Sequence, residues 1–342
     1  MSLNRPIRPT CLQCSRMRPP IQTPTSFGKF TYRQSSSSPF STAQANRRWP
    51  RLALTILGLT LPTSYFLFPS PPIMTPHMYS DQPVSSTQSI STQHKLITVP
   101  IPPSSKEFFE RPYRPDGSIA DAEGGEVVVQ HMMIKSPDIQ IERPYTPVND
   151  GVEDGEVRMV VKRVRGGEVG RVVHNLKEGN KVGIRGPIPT FSIYPNEYDK
   201  IIMISTGTAI TPFLQLLSKL PAPSTSSSSP KLHLIHSKPL QGREDWAATS
   251  TDKSFIPSLQ AKFGSSLQVS RVEPGLVSRP VVENALRQEK KDVKERVLVL
   301  VCLPPMLMRP LCGSMLPNLD QGPVTGLLGE LGLTNKEVWK LE

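Results

Sequence analysis

Arg143-Pro144-Tyr145-Thr146-Pro147 places a guanidinium, a phenol and a hydroxyl within four residues. A planar guanidinium fork pairs with phosphate or carboxylate through two parallel hydrogen bonds, and an aromatic face accepts a flat ring. Together they suit a ligand that is large, flat and anionic. Sixteen residues after Thr146 comes Lys162, in the apolar run "MVVKRV", which adds a positive charge near the end of an extended segment.

Two kinds of element must hold such groups. Residues 95–192 contain the short runs "KLITVPI", "GEVVVQHMMI", "EVRMVVKRV" and "NKVGIRGPI", broken by Gly, Pro and Asp, a pattern expected of an all-β sheet or barrel. From Tyr198 the style changes. "YDKIIMISTGTAITPFLQLLSKL" reads as a buried strand, a glycine turn and an amphipathic helix, with Phe213, Leu214, Leu217 and Leu220 at helical spacing. "KLHLIHS" and "ERVLVLVCL" read as inner parallel strands. The expected architecture is a β-barrel at 95–192 followed by an α/β domain at 193–342.

The chain ahead of these domains differs in kind. Nine Lys or Arg and no acidic residue precede Asp81, so 31 of the 40 basic residues remain beyond it against all 29 acidic ones. The charge excess therefore belongs to the leader, which excludes a nucleic-acid-binding surface on the folded part. An Arg- and Ser-rich, acid-free segment at 1–51 is the composition of a mitochondrial transit peptide. Leu52 to Phe68 is 17 residues without a charge, flanked by Arg51 and Trp49, and reads as one transmembrane segment. The Pro/Ser/Thr/Gln-rich stretch at 69–94 reads as a linker, and "PAPSTSSSSP" at 221–230 as a surface loop.

Cys11 and Cys14 form a lone CxxC in the leader, and His174 has no second His or Cys at ligand spacing, so no metal site is expected. Cys302 and Cys312 stand ten apart, compatible with two thiols or with a bridge.

Taken in order, Arg143-x-Tyr145-Thr146, Lys162, "GIRGP" and "GTAITPFL" resemble the ferredoxin reductase-type flavoproteins, cytochrome b5 reductases among them, over about residues 95–342. The leader, "VVVQHMMIKSPDIQIERPYTP" and "GLLGELGLTNKEVWKLE" also resemble the fungal cytochrome c mitochondrial import factors. The resemblance implies a barrel that binds FAD and an α/β domain that binds NADH or NADPH. Arg143 would then meet the FAD diphosphate, Tyr145 the flavin and ribose, and Thr146 the isoalloxazine edge, with Val160 and Lys162 beside the ring. Gly167-Glu168-Val169-Gly170 stands where the family has G-x-x-S at a helix start, so the amides stay available while the hydroxyl cap is lost, and Arg171 is the candidate to compensate. Thr206-Gly207-Thr208-Ala209 replaces G-G-T-G, with Thr208 and Thr211 still able to contact flavin. Cys302-Leu303-Pro304-Pro305 replaces C-G-P-P, which keeps Cys302 at the reaction centre and puts an isobutyl group where nicotinamide would approach. Trp339 is the candidate to stack on the flavin. The implied function is electron transfer from NAD(P)H through FAD to haem or a haem protein of the cytochrome c maturation machinery; the alternatives are a cytochrome b5 reductase-like enzyme with another acceptor and a non-enzymatic assembly factor with a degenerate nucleotide site. The folded part would face the intermembrane space from the inner membrane.

Overall fold

The computed structural model describes residues 72–136, 140–223, 229–238, 244–248, 255–275, 277–287 and 295–341. The expected transit peptide and the apolar run 52–68 lie outside the described residues. Among those described, no helix is long and apolar enough to cross a membrane.

Seven strands build the first half: β1 (Ser80–Pro83), β2 (Ser86–Ser89), β3 (His94–Pro100), β4 (Val127–Lys135), β5 (Glu142–Tyr145), β6 (Glu156–Lys162) and β7 (Lys181–Ile193). They form antiparallel sheets in the orders β1-β7-β4-β5 and β2-β3-β6, joined by a bridge from Pro147 to Met159. Side chains of a strand alternate between its faces. Ile97, Val99, Val157, Met159 and Val161 meet Met132, Ile134, Val182 and Ile184 in one core, which makes the two sheets a barrel. The opposite faces of β3 and β6 are buried too, because Leu96 and Val160 pack with residues of the α/β domain. That double burial is why these two strands are nearly continuous in apolar residues.

The expected linker at 69–94 needs correction, since β1 and β2 lie in it. Met74 is fully buried and Val84 nearly so, while the Gln82 amide donates to the Pro72 carbonyl at 2.9 Å and to Ser80 Oγ at 2.8 Å. Polar composition misleads here because the ladder to β7 and side-chain amides satisfy the backbone, and a few apolar anchors then suffice.

The second half carries β8 (Lys200–Thr206), β9 (Lys231–Ser237), β10 (Leu267–Val272), β11 (Val297–Cys302) and β12 (Val338–Leu341). All pair in parallel in the order β10-β9-β8-β11-β12. The strand order reverses between β8 and β11. In such open sheets ligands bind outside the carboxyl ends at that switch point. Thr206–Ala209 and Cys302–Leu303 are the segments that leave the sheet there.

The halves are fastened through the helix Thr211–Lys219. β4 shifts register against β7 between Val129 and Gln130, which removes the Gln130 N–H from the ladder, and Gln215 Oε1 accepts it at 2.6 Å. Lys219 Nζ donates to the Val128 carbonyl at 2.7 Å and to Gln130 Oε1 at 3.3 Å. Burial pushes the Lys219 ammonium down to about 8, with Asp150 opposing it.

Gln215→Ala leaves a buried N–H without an acceptor and should lower stability by roughly 1–3 kcal/mol in urea unfolding. Lys219 has a folded pKa below its unfolded value of about 10.4, so between about pH 8 and 10 the unfolded chain binds more protons and its contribution to stability rises with pH. Lys219→Met should flatten that rise; an unchanged slope over this range would reject the assignment.

Candidate functional site

Arg143 and Tyr145 stand on the edge strand β5, opposite Ile134 and Met132 of β4. Tyr145 packs against the barrel core, and burial raises its phenol pKa while Arg143 opposes the rise. Arg143 is exposed and donates one Nη1 bond to the Glu142 carbonyl at 2.8 Å, which holds the guanidinium at the strand edge. Thr146 follows, half-buried. Lys162 closes β6, opposite His94 of β3.

The helix Glu168–Asn175 begins where the sequence places it, with Gly167 as N-cap and no side-chain cap. Its first amides therefore lack an intrahelical partner, and such a terminus favours an anion. The glycine at 170 has a steric cause. A Cβ there would lie 2.9 Å from the Lys162 carbonyl, so the hydroxyl of the family pattern gives way to close packing of the helix on the end of β6. Val169 anchors the same turn in the barrel core. Arg171 does not replace the missing contact, because its guanidinium pairs with Glu168, one turn back on the same helix.

At the switch point, Gly207 adopts φ +55°, a conformation that costs glycine little, and opens a 3-10 turn over Gly207–Ile210. Thr211 Oγ1 donates to the Thr208 carbonyl at 3.1 Å, tying the turn to the helix that follows. Val160, Ile210 and Cys302 belong to one buried cluster with Ala209 packed against it, and within it the Gly207–Ile210 turn touches β6.

One expectation is overturned at this point. Leu303 is 4% exposed and packs with Val301, Met308 and Leu311, on the cluster that holds the other face of the sheet from Cys302. Its isobutyl group fills the core beneath the helix Pro305–Cys312 and does not crowd the crevice. Trp339 is 42% exposed and lies opposite Leu300, whereas Leu341, 3% exposed, stands opposite Cys302. The register places Leu341 beside Cys302, and Trp339 two residues earlier on the same face of β12. Cys302 and Cys312 are buried thiols and form no disulfide. Among the described residues no group of His, Cys, Asp and Glu could hold a metal.

Sequence reasoning missed a polar chain under the turn. Ser205 Oγ lies 3.0 Å from His236 Nδ1, His236 Nε2 is 3.6 Å from Asp245 Oδ1, and Arg271 donates to Asp245 Oδ2 at 2.7 Å. Burial would raise the Asp245 carboxyl, but His236 and Arg271 hold it below its ordinary value. The order resembles a nucleophile with its base, yet Ser205 is fully buried, so the chain fastens β8, β9 and β10 to the loop that carries Asp245. No local signal marks it, since its members are 66 residues apart at the extremes.

The donor set of β5 and the uncapped helix, a guanidinium fork with free amides and an aromatic face, fits an FAD diphosphate and ring system. The oxidoreductase FAD-binding domain family matches residues 119–193. NADH-cytochrome b5 reductase 2 of Meyerozyma guilliermondii is 34% identical over 203 residues, covering 58% of this chain and 67% of that protein. The chain belongs to the NADH-cytochrome b5 reductase family. NADH-cytochrome b5 reductase 2-A of Vanderwaltozyma polyspora is 29% identical over 276 residues, 76% of this chain and 83% of that protein. The fold is that of the cytochrome b5 reductase domain of Ulva prolifera nitrate reductase, with a TM-score of 0.54 at 16% identity over 79% of this chain and 100% of that one. This is a family of FAD-dependent oxidoreductases, and the ferredoxin reductase-like pair of domains expected from the sequence is present.

Gly170→Ser should reduce flavin retention and cost on the order of 1–3 kcal/mol, because the new Cβ meets backbone. Leu303→Gly should cost about 3–5 kcal/mol without speeding flavin reduction, as a cavity in the core would. Equilibrium unfolding with flavin absorbance reads both, and a faster, equally stable Leu303→Gly protein would return Leu303 to the crevice.

Proposed function

We propose that the chain takes hydride from NADH onto FAD and passes the electrons singly to a haem-protein acceptor. The observation that carries this reading is the contact of the Gly207–Ile210 turn with β6, in the buried cluster that also holds Val160 and Cys302, beside the Arg143 strand and the uncapped helix. Bound FAD supplies the conversion of a two-electron donor into single-electron transfers. The residues supply position. Arg143 and the amides from Gly167 onward neutralise the diphosphate, Tyr145 and Thr146 fix the ring system, and Lys162 sets a positive field at the end of β6. Thr208 and Thr211 hold the turn against the flavin, while buried Cys302 and Leu341 exclude water from the sheet end. No side chain is asked to act as general acid or base.

The finer reading keeps this activity and places it in cytochrome c maturation, on the mitochondrial inner membrane with the folded part in the intermembrane space. It is supported by the acid-free basic leader, by the uncharged run Leu52–Phe68 and by the likeness of leader and C-terminus to the import factors. Ala209 and Thr206, in place of glycines, predict a slow reductase.

Arg143→Ala should weaken FAD binding by on the order of 2–4 kcal/mol, the consequence of leaving a diphosphate charge unpaired. Anaerobic NADH should bleach the flavin bands of the wild type. A protein that holds FAD yet is bleached by neither NADH nor NADPH would favour a non-enzymatic assembly role. Protease added after selective rupture of the outer membrane should digest the folded part; digestion only after inner-membrane lysis would place it in the matrix.

A further inference from the structure

Between the barrel and the loop 244–248 two buried nitrogens have no hydrogen-bond partner: Nε2 of His94, on a residue 8% exposed, and Nε1 of Trp246, on a residue 4% exposed. Their rings lie 5.7 Å apart, tilted by 33°, and Phe255 packs edge-on to the indole at 5.6 Å. Indole nitrogen is a donor only. The tautomer of His94 follows from its other side. Ser91 Oγ already accepts the backbone N–H groups of Gln93 at 3.2 Å and His94 at 3.1 Å, so its own proton goes to His94 Nδ1 at 2.8 Å and leaves the ring proton on Nε2. Two buried N–H donors thus stand on neighbouring rings, one from each domain, without an acceptor.

Their surroundings select the ligand. His94 pairs in register with Lys162, and burial, then the charges of Lys162 and His174, push the imidazole down to about 4, against a weaker pull from Asp245. Asp245 is itself engaged by Arg271 and His236. A neutral donor pair beside an ammonium selects an oxygen acceptor carrying negative charge and rejects cations. The loop follows β9, which neighbours β8 on one side of the switch point.

We propose that the Trp246 and His94 N–H groups, with the Lys162 ammonium beside them, receive a diphosphate oxygen of the dinucleotide donor. The inference rests on the reductase reading and extends it to the residues that hold the donor. It also accounts for the turn: where Thr206 and Ala209 limit backbone approach, side-chain donors from both domains take over the anion. The loop backbone stays fastened through Asp245 while the indole turns off the imidazole to admit the oxygen.

Calorimetry on the full chain loaded with FAD tests this with inorganic pyrophosphate, NAD+ and adenosine as probes. Trp246→Phe and His94→Leu should each weaken pyrophosphate and NAD+ binding by roughly tenfold or more, as the loss of one hydrogen bond to a charged group does. Adenosine, which lacks the diphosphate, should bind unchanged, and His94→Gln, which keeps a donor, should stay near wild type. Equal affinities for pyrophosphate and NAD+ in the wild type and both deletion variants would overturn the proposal, as would a parallel loss of adenosine binding. If NADH fails to reduce the wild type but pyrophosphate binding still depends on both donors, the site stands and the reductase reading falls. If NADH reduces the protein while pyrophosphate binding is indifferent to both donors, the reductase reading stands and the site falls.

Discussion

The break in the β4 ladder at Gln130 is the point on which the two halves depend. A strand that shifts register leaves a donor and an acceptor turned out of its sheet, and in water these would be solvated. Here they lie under the helix Thr211–Lys219, which supplies Gln215 as acceptor and Lys219 as donor. That helix starts at the switch-point turn, so the same hydrogen bonds that satisfy the barrel set where Thr208 and Ala209 come to rest. The crevice is therefore a by-product of polar satisfaction in the barrel wall, and its width is fixed by bonds to backbone.

A second theme is the use of lysine. Lys95 donates to the carbonyls of His174 and Leu176, Lys262 to Leu217 and Ser218, and Lys200 to Ala285 and Arg287, each at the C-terminal end of a helix. Lys340 meets the carbonyls of Ser314, Gly322 and Pro323 at 3.1, 2.8 and 2.9 Å. Orphan carbonyls and the negative end of a helix dipole favour a cation. Positive charge in the folded part thus serves internal closure, in keeping with the near balance of acids and bases beyond Ser80.

The domain order, the helix at 168–175 and the turn at 206–209 were legible because each carries a local signature, a change of apolar period for the first and glycine spacing for the other two. Leu303 was misjudged for a plain reason. Sequence position gives adjacency along the chain, but Cys302 and Leu303, though neighbours, pack into the clusters on opposite sides of the sheet, and only the packed structure shows which one is toward the barrel. The donors His94 and Trp246 are 152 residues apart and lie on separate domains, so no local pattern could join them. Gly170 looked like a lost cap and is a close contact with the Lys162 carbonyl, a distinction that only the packed neighbour reveals.

The strap at 72–89 has a consequence for solubility. β1 covers the outer edge of β7 over Lys181–Ile184, and β2 covers that of β3 over Lys95–Thr98. A chain trimmed to begin at His94 would bare the edges of Lys181–Ile184 on one sheet and Lys95–Thr98 on the other, and such unpaired amides and carbonyls recruit strands from other molecules. The polar, proline-rich strap is thus the guard that keeps the barrel from self-association, and its low apolar content is what suits an outermost strand to water.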